Sequence, residues 1–145
     1  MSKAKVIVDA CVHIPGAHIA GRVGRGKAAC GVLMIDEQGN EQELGNYLGE
    51  MTVPEAEFRG LIFALDQASA VTRWDVEVWM DSELVIKWMT GEYRMRKDHI
   101  RPLFDEAKKL GGRFRSIQYF HHLGTSPLAK RADQLAEQEY RRHQP

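Results

Sequence analysis

The sequence predicts an α/β fold built on a five-stranded mixed sheet, three antiparallel strands and then two parallel ones, with helices on both faces. Three observations lead to this prediction. Three strand-like segments precede Thr52, the hydrophobic period changes from strand to helix at that residue, and two further short strands then alternate with helical segments. Because strands joined by helical crossovers run parallel, the last two strands are expected to extend the sheet beside the first.

β-branched and apolar residues mark the three N-terminal strands, which we predict over residues 5–11, 28–36 and 42–50. Turn residues that include Gly39 separate the second strand from the third, so these two should form an antiparallel hairpin. No internal repeat, low-complexity tract or linker interrupts the chain, and residues 1–145 are therefore expected to form one domain.

Capping signals define the helical part of the chain. Thr52 and Glu55 have the spacing of a capping box, which predicts a helix that continues to about residue 70. The remaining predicted elements are a strand over residues 75–80, a helix after Ser82, a helix near 100–110, a fifth strand over 116–120 and a last helix after Ser126.

Composition excludes several classes of protein. The 145 residues are 43% apolar and 28% charged, which is typical of a globular domain and not of a disordered or fibrous chain. No apolar run approaches the roughly 18 residues of a membrane-spanning helix, so no membrane partner is expected. Two cysteines provide no disulfide framework, and a cytoplasmic location is the resulting expectation.

Charge is unevenly distributed although it sums to zero. Residues 1–35 carry five basic side chains and one acidic one, residues 36–57 carry seven acidic and no basic ones, and residues 91–145 carry twelve basic and seven acidic ones. Basic segments on either side of an acidic middle suit a nucleic-acid binder whose acids have a separate task. A patchwork surface without functional consequence is the alternative interpretation.

Four carboxylates occupy unusual positions. They are Asp9 inside the apolar first strand, Asp81 at the end of the fourth, Glu57 on the sheet-facing side of the first helix, and Asp133 inside the last helix. If strands one and four are adjacent and parallel, Asp9 and Asp81 lie at the same edge of the sheet. Each acid alone has a structural interpretation, as a cap or a solvated side chain. Together they favour a magnesium site, because Mg²⁺ prefers oxygen ligands and relieves carboxylate repulsion.

Five sequence motifs occur in a family's characteristic order. They are Val6-Ile-Val-Asp9-Ala-Cys11, Gly31-Val-Leu-Met-Ile-Asp36, Thr52-Val-Pro-Glu-Ala-Glu57, Asp81-Ser-Glu-Leu-Val85 with Gly91-Glu-Tyr93, and Ala132-Asp133-Gln-Leu-Ala136. The chain resembles the type 1 ribonuclease H family, in its short form without a basic protrusion, over roughly residues 6 to 136. The resemblance implies a ribonuclease H-like fold and cleavage of the RNA strand of an RNA–DNA hybrid. It also implies two Mg²⁺ ions, with Mn²⁺ as an alternative, bound by Asp9, Glu57, Asp81 and Asp133.

The resemblance extends to residues around these acids. His122 resembles a mobile loop histidine that assists proton transfer or product release, and His121 is a competing candidate. Cys11 and Thr52 occupy positions that contact nucleic acid in the family. Val53-Pro54 replaces the family's Asn-Asn pair, so two alternatives stay open: a nuclease for double-stranded RNA or branched DNA, and a non-catalytic binding module on the same fold.

Two basic segments are candidates for contacts with nucleic-acid phosphates, and solvated surface is the alternative for both. A glycine-rich segment, predicted as a flexible loop, fits the opening of a phosphate-binding loop but has Ala28 where a Mg²⁺-binding serine or threonine is required. The candidate residues are Arg22, Arg25 and Lys27 in this first segment, and Tyr93, Arg94, Arg96 and Lys97 in the second.

Cys11, His13 and Cys30 are residue types that bind zinc. The closely spaced pair Cys11 and His13 has no second closely spaced pair to complete a site, so the sequence disfavours zinc. His13 receives no other role.

Overall fold

The computed structural model describes residues 3–16 and 24–145, and in these ranges strands and helices follow one another in the predicted order. The strands are β1 (Lys3–His13), β2 (Arg25–Asp36), β3 (Glu41–Thr52), β4 (Asp75–Met80) and β5 (Ser116–His121). The helices are α1 (Val53–Val71), α2 (Glu83–Met89), α3 (Arg101–Gly111) and α4 (Pro127–Arg142).

The strands form one mixed sheet in the order β3-β2-β1-β4-β5. β1 pairs antiparallel with β2, β2 pairs antiparallel with β3, and the β1–β4 and β4–β5 pairs are parallel. The predicted mixed sheet is therefore confirmed, and it has β1 at its centre. Because β1 and β4 run parallel, Asp9 and Asp81 lie at the same edge of the sheet although they come from distant parts of the chain.

The two faces of the sheet are covered by different helices. Val6 and Val8 of β1 belong to the main core together with Phe58 of α1, and α3 packs against α1 on that side. Ile7, which points the opposite way, packs with Ala132 of α4. None of the helices in the described ranges has the length and apolar character needed to cross a membrane.

Two features of the β2–β3 hairpin differ from the prediction. β2 begins at Arg25, so Arg25 and Lys27 lie on a strand and not in a loop, because β2 pairs with β3 as far as Arg25 and Thr52. Strand pairing overrides the low strand propensity of the glycine-rich sequence. A bulge opposite Ala28 and Ala29 leaves Leu48 without a partner, and Arg22 lies outside the described residues.

The predicted start of α1 is confirmed in detail. The hydroxyl oxygen of Thr52 accepts a hydrogen bond from the Glu55 amide at 3.4 Å, and the Glu55 carboxylate accepts one from the Thr52 amide at 3.0 Å. This capping box satisfies backbone groups that the helix leaves open and fixes the first turn, on which Glu57 lies.

Gly31 of β2 controls how closely α4 approaches the sheet. A Cβ atom at this position would lie 2.3 Å from the carbonyl oxygen of Ala132 and 2.5 Å from the amide nitrogen of Ala136. Only a residue without a side chain allows this approach. Gly31 therefore sets the position of the helix turn that carries Asp133.

Candidate active site

Asp9 and Asp81 lie side by side where β4 ends. The parallel pairing of β1 with β4 reaches Ile7 and Trp79, so Asp9 and Asp81 stand level with each other two residues further on. Their carboxyl groups are close enough for Asp81 to raise the pKa of Asp9. Because β1 continues to His13 while β4 stops at Met80, the two acids occupy a notch in the sheet.

Two helices bring the other predicted acids to the same place. Asp133, exposed on α4, is close enough to Asp9 for its charge to raise the pKa of that carboxyl group. Glu57 approaches from α1, where Asp81 acts on it in the same way and the Ser82 hydroxyl forms a hydrogen bond with its carboxylate. Strands and helices from four separate segments thus converge on the end of β4.

Ser82 has a second role that the sequence analysis missed. Its hydroxyl oxygen also accepts a hydrogen bond from the Val85 amide at 3.3 Å and caps α2. The Ser82 hydroxyl thus caps α2 and also lies close enough to the Glu57 carboxylate to lower its pKa. The sequence signal for the cap was clear, but nothing local to Ser82 indicates its contact with Glu57.

Burial and mutual repulsion disfavour the charged forms of Asp9 and Glu57. Burial raises the pKa of Asp9 to about 9, with the charge and hydrogen bond of Asp81 adding to the effect. Burial likewise raises the pKa of Glu57 to about 7, although the hydrogen bond from Ser82 opposes the shift. Within the described ranges, none of the four acids forms an ion pair with lysine or arginine.

This donor set fits a hard divalent cation. Mg²⁺ and Mn²⁺ bind carboxylate oxygens, and their charge would offset the burial and the mutual repulsion that raise the pKa values of Asp9 and Glu57. In the part of the chain that the structure describes, no three of these acids bring oxygens within 4.8 Å of one another, as expected for groups that repel each other.

Two histidines at the end of β5 lie close to Asp81. A ring nitrogen of His121 lies 3.1 Å from the Asp81 backbone oxygen. His122 is half-buried, and burial lowers its pKa while the Asp81 carboxylate acts in the opposite direction. Gly124 closes the same loop against the site, since a Cβ there would lie 3.3 Å from Asp81 Oδ2. His122 is therefore the histidine whose ring lies within the field of the acids.

The second basic segment borders a groove between α2 and α3. Tyr93, Arg94 and Arg96 line this groove, whose volume is about 530 Å³. The Tyr93 ring is 45% exposed, and the Lys87 ammonium lies 4.9 Å from its centre. Lys97 is exposed but is not part of the groove lining.

The other residues proposed to contact nucleic acid lie along β1, β2 and the start of α1. Thr52 and Arg25 both bind Glu55, at 2.9 Å and 3.0 Å respectively. Lys27 is exposed on β2, whereas Cys11 is buried on the face of the sheet that α4 covers. Arg22 lies outside the described residues.

Comparison with known proteins identifies the class to which this fold and site belong. The reverse transcriptase-like family matches residues 18–138, and the chain belongs to this family. Over 72 residues it is 36% identical to a Mycobacterium tuberculosis protein described as bifunctional protein Rv2228c, a match that covers 50% of this chain and 20% of that protein. The chain thus matches about a fifth of the length of this relative.

The solved structures to which the chain is similar include ribonucleases H. They confirm the resemblance to the ribonuclease H family that the sequence motifs indicate. RNase H1 from the halophilic archaeon Halobacterium salinarum has a TM-score of 0.81 and 27% identity, over 97% of this chain and 98% of that one. LC11-RNase H1, crystallised with an RNA/DNA hybrid, has a TM-score of 0.79 and 26% identity, over 96% and 97% of the two chains. The N-terminal RNase H domain of Rv2228c from M. tuberculosis has a TM-score of 0.75 and 28% identity, over 92% and 97%.

Proposed function

We propose that the protein is a ribonuclease H that hydrolyses the RNA strand of RNA–DNA hybrids with two divalent ions, Mg²⁺ or Mn²⁺, held by Asp9, Glu57, Asp81 and Asp133. The observation that carries this proposal is the convergence of the four acids, without a lysine or arginine ion pair in the described ranges, around the end of β4. The relative crystallised with an RNA/DNA hybrid supports the substrate class.

Each part of the site has a defined task in this mechanism. The bound ions would activate a water molecule and stabilise the departing oxygen during cleavage of the phosphodiester. Asp81 acts on the pKa of both Asp9 and Glu57, and Ser82 favours the charged form of Glu57 that binds a metal ion. His122 accepts a proton at its ring, since burial favours the neutral form that a general base requires.

Binding of the hybrid uses surfaces on either side of the acids. The arginines of the α2–α3 groove contact backbone phosphates, and the exposed Tyr93 ring provides an apolar surface for the sugar. Val53 is 43% exposed at the start of α1, at a position where the family has asparagine. An apolar side chain at this point makes fewer hydrogen bonds to the substrate, so we expect it to contribute less to hybrid affinity.

A cleavage panel tests the function. RNA–DNA hybrid, double-stranded RNA, double-stranded DNA, branched DNA and single strands are each incubated with Mg²⁺ and with Mn²⁺. We expect cleavage of the RNA strand of the hybrid alone, with 3′-hydroxyl and 5′-phosphate ends. Cleavage of RNA duplex or branched DNA in its place would contradict the substrate, and salt-sensitive hybrid binding without cleavage would identify a binding module.

The substitution Asp81→Asn tests the mechanism. It removes a charge between the other acids but almost no volume, so we expect kcat on the hybrid to fall by at least about 10³-fold while hybrid affinity is retained. Single-turnover cleavage and hybrid binding are measured on the same preparation. The matched control is Asp66→Asn, an exposed acid on α1 whose 3.4 Å ion pair with Arg113 is remote from the notch. Equal loss in both variants, or none in Asp81→Asn, would refute the assignment.

A further inference from the structure

A second group of metal-binding side chains lies along β1 and α4, beyond the acids. The Cys11 Sγ, a ring nitrogen of His13 and a carboxylate oxygen of Glu137 all lie within 4.8 Å of one another. His13 Nε2 is 2.9 Å from Glu137 Oε2. We propose that Cys11, His13 and Glu137 form a binding site for Zn²⁺, distinct from the four acids.

The regular geometry of a strand and a helix produces this site. Cys11 and His13 are two residues apart on β1 and therefore point to the same face, which α4 covers. Glu137 follows Asp133 by one helix turn, so α4 presents one carboxylate to Asp9 and the next to Cys11 and His13. In the sequence, Cys30 is the third residue of a zinc-binding type. Cys30 instead lies against Gly60 of α1, on the opposite face of the sheet.

The donor atoms and their surroundings suit zinc. Sulfur, imidazole nitrogen and carboxylate oxygen are its usual ligands, and in a tetrahedral site neighbouring donor atoms are roughly 3.4–3.6 Å apart. The three donor atoms, all within 4.8 Å of one another, lie close to these separations. The His13 ring is already held in place by stacking on Tyr140, with ring centres 3.6 Å apart.

Access and selectivity distinguish this site from the neighbouring acids. The side chains of His13 and Glu137 are 40% and 32% exposed, so an ion reaches them from solvent, while Cys11 closes the inner side with 8% exposure. Three protein ligands leave a fourth position for water or another donor. A thiolate and an imidazole favour Zn²⁺ over Mg²⁺, whereas the four acids have the opposite preference.

Metal titrations of the whole protein test the proposal. After removal of bound metal, isothermal titration with ZnCl₂ is expected to give one zinc ion per chain with an affinity that excess Mg²⁺ leaves unchanged. Co²⁺ in place of zinc should produce the charge-transfer absorption of a cobalt–thiolate bond. Cys11→Ser should abolish that absorption, and His13→Asn and Glu137→Gln should each weaken zinc binding by at least about tenfold.

Two matched variants serve as controls. Cys30→Ser removes the other cysteine, and Glu139→Gln alters a second histidine–glutamate pair on α4, whose His143 Nε2 lies 3.7 Å from the carboxylate. Both are expected to bind zinc as the wild type does, and so is Asp81→Asn, which separates this site from the nuclease centre. Wild-type protein that binds no zinc would overturn the proposal. So would unchanged affinity in Glu137→Gln, or loss of the cobalt absorption in Cys30→Ser.

Discussion

At the scale of single residues, the raised pKa of Asp9 reflects the unfavourable free energy of placing carboxylates together in the site. Burial and the neighbouring Asp81 raise its pKa to about 9, far above the 3.8 of a free aspartate. Between those two values the folded protein binds more protons than the unfolded chain. Without metal, the contribution of Asp9 to the free energy of unfolding is therefore most favourable below about pH 4. It becomes less favourable as the pH rises toward 9.

The substitution Asp9→Asn should remove this cost. In EDTA at about pH 8, we expect the variant to be more stable than the wild type by roughly 2–4 kcal/mol, because asparagine, unlike the Asp9 carboxyl group, does not have to take up a proton on folding. The difference should shrink as the pH falls toward about 4. Urea unfolding at a series of pH values measures it.

Asp36→Asn is the opposite control. Hydrogen bonds from Asn40 and from neighbouring amides lower the pKa of Asp36, so its contribution to stability is lost as the pH falls through the folded-state value. This variant should be less stable than the wild type at neutral pH. If Asp9→Asn showed the same pH dependence as Asp36→Asn, the assignment of buried, mutually repelling carboxylates would be wrong.

At the scale of elements, the approach of α4 to β2 at Gly31 determines where Asp133 lies. Gly31→Ala places a methyl group where the Ala132 carbonyl oxygen and the Ala136 amide now are, so α4 must move away from the sheet. We expect a loss of about 1–3 kcal/mol in unfolding free energy. We also expect a kcat reduction of at least about tenfold, because Asp133 moves with its helix.

Gly112→Ala is the matched control for this prediction. Gly112 follows α3 with φ of −69°, and a Cβ there would lie 3.3 Å from the nearest atom, the Lys109 carbonyl oxygen. Its effect on stability should be much smaller, and its kcat should equal that of the wild type. Full activity in a folded Gly31→Ala variant would show that the position of α4 does not set the activity.

At the scale of the whole molecule, charge is separated into a site of acids and a basic groove. The acids would repel the proposed polyanionic substrate, whereas Arg94 and Arg96 would attract it from the α2–α3 side. Because the net charge is zero, attraction depends on this local surface and not on the protein as a whole. Affinity for the hybrid should therefore decrease steeply with salt.

The double substitution Arg94→Ala and Arg96→Ala should make the affinity for the hybrid less dependent on salt concentration. If each arginine contacts one phosphate, the slope of log K against log salt concentration should become shallower by about 2, while cleavage at saturating substrate changes little. Arg142→Ala, which removes an exposed arginine paired with Glu139 on α4, is the control and should leave the slope unchanged. An unchanged slope in the double variant would exclude phosphate contacts in the groove.

Most of the fold can be predicted from the sequence because the signals that define its helices act between neighbouring residues. The Thr52 and Glu55 box, the Ser82 and Ser126 caps and the change of hydrophobic period act within a few residues, and the observed helices begin where these signals predict. The strand ends were less predictable. Arg25 and Lys27 belong to β2 only because β3 supplies hydrogen-bonding partners that the local sequence does not reveal.

The sequence by itself determined the four acids as candidates and the element that carries each one. The tertiary structure decided which side chains meet. Glu137 reaches His13 across 124 positions of the chain, Cys30 faces away from Cys11, and Gly31 sets the distance of α4. The physical reason is that caps and periodicity arise from neighbouring residues, whereas contacts between a strand face and a helix depend on packing that no short segment contains.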